Sequence, residues 1–280
     1  MGSLGHALQA SAPGHAKVNA YTSGQLDVSD LAAVQRMVDD LRPTVIINAA
    51  AYTAVDRAEQ EAAKAHAVNA LGPAHLAKAA LRCGARLLHV STDYVFAGNA
   101  SRPYRPGDAC QPLGVYGASK RAGEEAILAS ACPGLIVRTS WLYAAQGNNF
   151  VQTMLRLLRE RSELGVVADQ VGSPTWANTL ATALWSAAAR PELYGIYHWA
   201  DLGVASWYDF AVAIQEEALQ LGLLTQSIPI RPLRSEEYPT VAARPAYSVL
   251  DSADARDDFG LTGMHWRVAL REMLQELQDA

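Results

Sequence analysis

From Asp30 onward, apolar residues recur at two alternating periods. Leu31, Val34, Met37, Val38 and Leu41 fall on one face of a helix that Ser29 or Asp30 can cap and Pro43 stops. Val45 to Ile47 then form a short β-branched run before Asn48-Ala49-Ala50-Ala51, the pattern of a buried strand whose end opens into a loop. The alanine-rich stretch from Glu59 to Cys83 predicts a helix bent or interrupted at Gly72-Pro73. Arg86 to Val90 predicts the next strand, ending in Ser91-Thr92-Asp93-Tyr94. A Pro- and Gly-rich loop from Gly98 to Leu113 leads to a helix from Val115 to Ser130 and a strand from Leu135 to Thr139. Strands alternating with helices imply crossover connections, so the predicted class is α/β with a parallel sheet. Polar groups just past strand ends mark where a ligand binds in such sheets.

Beyond Trp141 the pattern is less regular. Helices are predicted near Phe150 to Arg161, Asn178 to Ala189, Trp207 to Leu221 and Met264 to Gln278, with turns around Gly165 and Gly172. The chain therefore divides into residues 1–170 with regular alternation and a smaller region, 171–280, with no linker between them, so a shared interface is expected to form the cleft. With 280 residues, half of them apolar, the chain can bury a sizeable core. A formal net charge of -5 argues against nucleic acid as a partner. Cys83, Cys110 and Cys132 show neither zinc spacing nor a disulfide framework and read as reduced thiols. No apolar run reaches the roughly 18 residues that span a bilayer, and no leader pattern opens the chain. No membrane partner and a cytoplasmic location are the default expectation.

Tyr116-Gly-Ala-Ser-Lys120 sets a phenol and an ammonium one helical turn apart. An adjacent ammonium favours the phenolate, which predicts a tyrosine pKa lowered toward the working pH and a side chain able to give or take a proton. Lys120 can also hold a cofactor ribose. Thr92 and Asp93 offer a hydroxyl and a carboxylate at a strand end where a carbonyl can be polarised, and the small residues after Asn48 allow close cofactor approach. Each piece also has a plainer reading: Thr92 and Asp93 as turn formers, Asn48 as a loop hydrogen-bonder, Trp141 as a core aromatic. His66, His75, His89 and His198 have no metal-ligand spacing and read as structural or surface histidines.

Taken in order, Asn48-Ala-Ala-Ala-Tyr-Thr-Ala-Val-Asp-Arg-Ala-Glu59, Ser91-Thr-Asp-Tyr-Val-Phe96, Tyr116-Gly-Ala-Ser-Lys120, Arg138-Thr-Ser-Trp-Leu-Tyr143, Gly147-Asn-Asn-Phe150, Asp169-Gln-Val-Gly-Ser-Pro-Thr175, Gly195-Ile-Tyr-His198 and Arg244-Pro-Ala-Tyr-Ser248 resemble the dTDP-4-dehydrorhamnose reductases of the extended short-chain dehydrogenase/reductase superfamily. The resemblance implies a Rossmann-like doubly wound sheet, with residues 1–170 binding the dinucleotide and 171–280 mainly the substrate. It implies an NADPH- or NADH-dependent reduction of a nucleotide-sugar 4-keto group, giving dTDP-L-rhamnose for cell-envelope polysaccharide. Tyr116 would be the proton donor, Lys120 its tuner and the holder of the nicotinamide ribose, and Thr92 the third catalytic residue. Thr92, Asp93 and Trp141 would contact the sugar. Ala51, Tyr52 and Thr53 would lie along the cofactor, Asp27 and Val28, after a second strand, near its adenine, and a homodimer is compatible with the family.

Two features depart from the family pattern. Gly2-Ser3-Leu4-Gly5 matches only the end of the glycine-rich pyrophosphate turn, so Gly2, Ser3 and Leu4 are the cofactor residues expected there, and the strand that normally precedes them has no counterpart. That is expected to leave the flanking strands with unpaired backbone groups. Ala7 stands where some members carry a glutamate for a magnesium site, so no metal is carried over. No acidic residue occurs at Ala20 to Ser23 to hold a ribose 2'-hydroxyl, which favours NADPH or dual use. The competing readings are another nucleotide-sugar 4-ketoreductase or epimerase, and a non-catalytic regulatory subunit on the same scaffold.

Overall fold

The computed structural model describes residues 1–278. In chain order it runs α1 (Ser3–Ala10), α2 (Leu31–Leu41), β1 (Val45–Asn48), α3 (Val55–Ala58), α4 (Ala62–His66), a π turn (Ala67–Leu71), α5 (Gly72–Cys83), β2 (Arg86–Thr92), α6 (Val115–Ala129) and β3 (Gly134–Thr139). There follow β4 (Leu142–Tyr143), α7 (Phe150–Glu160), β5 (Leu164–Val167), β6 (Val171–Gly172), β7 (Thr175–Trp176), α8 (Ala177–Ala188) and β8 (Gly195–His198). The last elements are β9 (Ala205–Ser206), α9 (Trp207–Gln220), β10 (Ile230–Leu233), α10 (Ala253–Phe259) and α11 (Trp266–Gln278).

The main sheet has the order β1-β2-β3-β8, all parallel, with Val45 opposite Arg86, Leu87 opposite Gly134 and Leu135 opposite Gly195. Alternate residues of its strands point to opposite faces, and each face is buried under helices. Leu88, Leu135 and Val137 pack with Leu4, Leu8, Leu180, Leu184 and Phe259 from α1, α8 and α10. Leu87 and Ile136 pack with Val34, Val38, Leu76, Ala80 and Ile127 from α2, α5 and α6. This is the expected Rossmann-like α/β arrangement. A second core joins α7, α9 and α11 around Leu155, Phe210, Ile214, Leu270 and Met273.

Local chemistry fixes several boundaries. Asp30 caps α2 by accepting from the Ala32 and Ala33 amides, at 2.9 and 3.0 Å. Ser206 and Asp209 close a reciprocal capping box at the start of α9.

Some expectations need correction. The long helix breaks as a π turn over Ala67–Leu71, ahead of Gly72-Pro73. Pro73 has no amide hydrogen and its ring crowds the carbonyl four residues back, so the ladder widens before the proline. The turns expected at Gly165 and Gly172 are short strands, β5 pairing with β10 and β6 with β9. Gly195–His198, not predicted as a strand, is the fourth strand of the main sheet. The second strand expected before Asp27 is absent, and the Gln25 and Leu26 amides close a turn on the Thr22 carbonyl. A strand needs a ladder partner, and β1 pairs only with β2 among the described residues.

Candidate active site at the carboxyl ends of β1, β2 and β3

The end of β2 delivers Thr92 and Asp93, and the first two turns of α6 deliver Tyr116 and Lys120. Glycine lets the helix come this close. A methyl group on Gly117 would stand 2.1 Å from the Tyr94 carbonyl oxygen, and one on Gly123 would stand 2.1 Å from that of Asn69. The Tyr94 and Tyr116 rings meet edge to face with centroids 5.5 Å apart. Further along α6, Glu124 receives Arg138 of β3 through two hydrogen bonds, Nε at 2.8 Å and Nη2 at 2.7 Å, in a pair at most 1% exposed. Thus α6 is tied to the sheet by a buried, bidentate ion pair one turn beyond Lys120.

Behind Tyr116 and Thr92 lies a buried polar chain. Asn48, at the end of β1, approaches His89 Nδ1 at 3.0 Å through its amide nitrogen, while His89 Nε2 lies 3.3 Å from Lys120 Nζ. Lys120 Nζ also donates to the Val90 carbonyl at 2.6 Å. A second brace starts at Asn69 in the π turn. Its side chain accepts from the Tyr52 amide at 2.8 Å, and donates to the Tyr52 carbonyl and the Ser119 hydroxyl, both at 3.0 Å. Ser119 in turn donates to the Tyr116 carbonyl at 2.8 Å. Sequence reasoning missed Asn69, Ser119 and the Glu124–Arg138 pair, and read His89 as a structural or surface histidine; it is buried. Only the placement of Asn69 at a Gly-Pro helix break hinted at a special role.

The electrostatics correct one expectation. Burial pushes the Tyr116 phenol up to about 12, the nearby Thr92 hydroxyl pulls the other way, and the Asp93 charge adds to the rise. Lys120 does not lower it, because its ammonium is turned to Val90 and His89. Burial lowers Lys120 itself to about 8, against the pull of Glu124. Burial raises Asp93 to about 6, opposed by the neighbouring Ser248 and Thr92 hydroxyls. Asp93 Oδ1 accepts from Thr92 at 3.0 Å, and Oδ2 completes no hydrogen bond.

The expected cofactor residues fall in three places. Ala51, Tyr52 and Thr53 follow β1 in an open loop, with the Tyr52 hydroxyl turned outward to Glu61 at 3.1 Å. Gly2 caps α1 with an extended backbone and no side-chain cap, which leaves the first amides of the helix free to meet an anion. Ser3 sits beside Gly2 and bonds Gln146, whereas Leu4 is a core residue, so only its backbone can serve a ligand. Asp27 is exposed and accepts from Ser29, while the Val28 side chain is buried between α2 and α5. Uncapped amides on α1 and the exposed alanines after Asn48 fit a dinucleotide. Ala7 is buried in the core, and among the described residues no group of three or more His, Cys, Asp and Glu side chains is placed to share a metal.

Trp141 lies two residues past Thr139, which pairs with Thr92. Its backbone is left-handed, φ 46°, and its indole stacks on Trp207 with centroids 3.5 Å apart and planes 5° apart. A methyl group on Gly172 would touch both the Trp141 ring, at 2.6 Å, and the Ser248 hydroxyl, at 2.9 Å, so Trp141 lies near Ser248, which also neighbours Asp93.

A doubly covered parallel sheet, with a tyrosine and a lysine of one helix set over the polar end of its second strand, defines a Rossmann-like α/β reductase. The RmlD substrate binding domain model matches residues 1–279. The chain is 43% identical over 265 residues to a dTDP-4-dehydrorhamnose reductase of Aggregatibacter actinomycetemcomitans, covering 93% of this chain and 90% of the relative. It is 46% identical over 269 residues to one from Streptomyces griseus, covering 94% and 86%. The crystal structure of dTDP-4-dehydrorhamnose reductase from Bacillus anthracis in complex with NADP superposes with a TM-score of 0.92 at 38% identity, covering 98% of this chain and 96% of that one. The chain belongs to the RmlD family, that of the dTDP-4-dehydrorhamnose reductases.

Proposed function

We propose that this chain reduces the 4-keto group of dTDP-4-dehydro-L-rhamnose to dTDP-L-rhamnose with NADPH or NADH, in dTDP-rhamnose biosynthesis. The observation that carries the reading is Tyr116 held beside Thr92 and Asp93 with Lys120 one turn behind it. When bound, the nicotinamide supplies the hydride. Tyr116 then gives its phenolic proton to the oxygen on which negative charge develops. Its raised pKa suits that direction of reaction, because the phenol is fully protonated at neutral pH and ready to donate. Lys120, turned to Val90 and His89 and carrying its proton below about pH 8, would hold the nicotinamide ribose. Thr92 would turn its single hydroxyl proton from Asp93 to the same carbonyl oxygen, Asp93 would accept from a sugar hydroxyl through its unpartnered Oδ2, and Trp141 would offer an apolar face to the ring.

The loop Ala51 to Thr53 and the first turn of α1, with Gly2, Ser3 and the Leu4 backbone, would hold the cofactor, with Asp27 and Val28 near its adenine end. Residues 1–170 would form the dinucleotide half and the rest most of the substrate half, although α8 and β8 return to the main sheet. Among the described residues no helix is long and apolar enough to cross a membrane, and we place the enzyme in the cytoplasm, where its nucleotide-sugar substrate would be found. Loss of nicotinamide absorbance with dTDP-4-dehydrorhamnose, and rhamnose in the product, tests the reading. Turnover only with other nucleotide keto-sugars would favour a different ketoreductase, and none with any would favour a regulatory subunit.

A further inference from the structure

His89 is fully buried, is not among the residues that contact the proposed substrate, and stands between Lys120 and Asn48, whose hydrogen-bonding role is fixed. The Ala50 amide donates to Asn48 Oδ1 at 3.1 Å. A backbone N–H can only donate, so the Asn48 oxygen faces Ala50 and its amide nitrogen faces His89. Asn48 Nδ2 therefore donates to His89 Nδ1 at 3.0 Å, and Nδ1 must be the bare, accepting nitrogen. A neutral imidazole then carries its proton on Nε2, 3.3 Å from Lys120 Nζ. Burial and the Lys120 charge both hold His89 well below its usual pKa, so it stays neutral.

The consequence falls on Lys120. As an ammonium it has only donors to offer, and it would meet the His89 N–H donor to donor. As a neutral amine it accepts from His89 Nε2 while still donating to Val90. On its own helix Tyr116 lies one turn before it and Glu124 one turn after, and Glu124 is engaged by Arg138 from β3 and by Arg121. We infer that His89, locked by Asn48 in its Nε2–H tautomer, is a positioning residue that sets the proton affinity of Lys120 and so the pH above which the proposed reductase loses activity. The catalytic part of this inference rests on the proposed roles of Tyr116 and Lys120. The effect on Lys120 does not.

The chain has four lysines, Lys17, Lys64, Lys78 and Lys120, so a carbon-13 NMR titration of its lysine side chains can follow Lys120 individually. In the wild-type protein, nitrogen-15 NMR of the imidazoles should show His89 neutral with its proton on Nε2. His89→Leu removes the facing N–H and should raise the Lys120 titration midpoint by about one pH unit, the scale of one hydrogen bond to a charged group. Asn48→Asp places an acceptor against Nδ1, should move the proton there, and should raise the Lys120 midpoint with His89 still present. If His89→Leu does not fold, the wild-type tautomer and Asn48→Asp decide alone. A proton on Nδ1 in the wild type, or a Lys120 midpoint unmoved in either folded variant, overturns the inference. The alkaline limb of the pH–rate profile should move up with the NMR midpoint, whereas a merely structural His89 would lower turnover at every pH and leave the limb in place. A shifted midpoint without any reductase turnover would uphold the tuning of Lys120 and reject the proposed reaction instead.

Discussion

Gly117→Ala opposes two effects whose sizes can be compared. In an exposed helix interior, replacing glycine by alanine gains up to about 1 kcal/mol of helix propensity. At Gly117 the new methyl would stand 2.1 Å from the Tyr94 carbonyl oxygen, with a Pro112 carbon at 3.0 Å. Ordinary contact needs a separation greater by about 1 Å or more, so the start of α6 must back away from the end of β2 by about that distance. Overpacking of this kind costs about 1–3 kcal/mol, enough to cancel the propensity gain and reverse its sign. The same displacement carries Tyr116 away from Thr92, and a misplacement of about 1 Å can cost roughly a hundredfold in turnover. Urea unfolding should show a lower midpoint for the variant, and steady-state kinetics a lower kcat. A variant that is more stable and as active as the wild type would refute the reasoning.

Glu124→Ala leaves the Arg138 guanidinium buried and uncompensated, and the loss of stability in chemical denaturation should reach about 3–5 kcal/mol, a large part of what holds a domain together. Asp93 titrates at about 6 folded against 3.8 as its ordinary value, so the folded state holds that proton more tightly. Its contribution therefore favours folding only while protonated, and stability should fall as pH rises between about 4 and 6; Asp93→Asn should flatten that slope and raise stability at neutral pH by up to about 3 kcal/mol, while weakening sugar binding. Trp207→Ala removes the stacking partner of Trp141, and KM for the nucleotide sugar should rise roughly three- to tenfold with a smaller change in kcat.

Most of the main sheet was legible in the chain because its signals are local. The 3.6-residue stripe of α2 and the apolar runs of β1, β2 and β3 can each be recognised without knowing what they pack on. Tyr116 and Lys120 were visible for the same reason, since four residues on a helix guarantee a shared face. What stayed hidden depends on residues far apart in sequence. The Asn69–Ser119 bond spans 50 positions and Asn48–His89 spans 41, and no period connects such pairs. The Tyr116 pKa was misjudged because spacing reveals the neighbouring lysine but neither the burial of the phenol nor the turning of Lys120 toward His89 and Val90. Gly195–His198 is as short as β1 but lacks its apolar run, having Ile196 between a glycine and Tyr-His, and the strand expected before Asp27 fails because strands depend on partners that local pattern does not supply.

The most direct test of the proposed reaction follows the transferred atom. NADPH deuterated on the nicotinamide C4 is offered with dTDP-4-dehydrorhamnose to the wild-type protein and to Tyr116→Phe, and the product sugar is analysed by NMR. Deuterium is expected on C4 of the rhamnose made by the wild type, and a turnover at least about a hundredfold lower, with the fold intact, in Tyr116→Phe. Deuterium absent from C4, or a Tyr116→Phe protein that reduces the sugar at the wild-type rate, would contradict the proposed reaction.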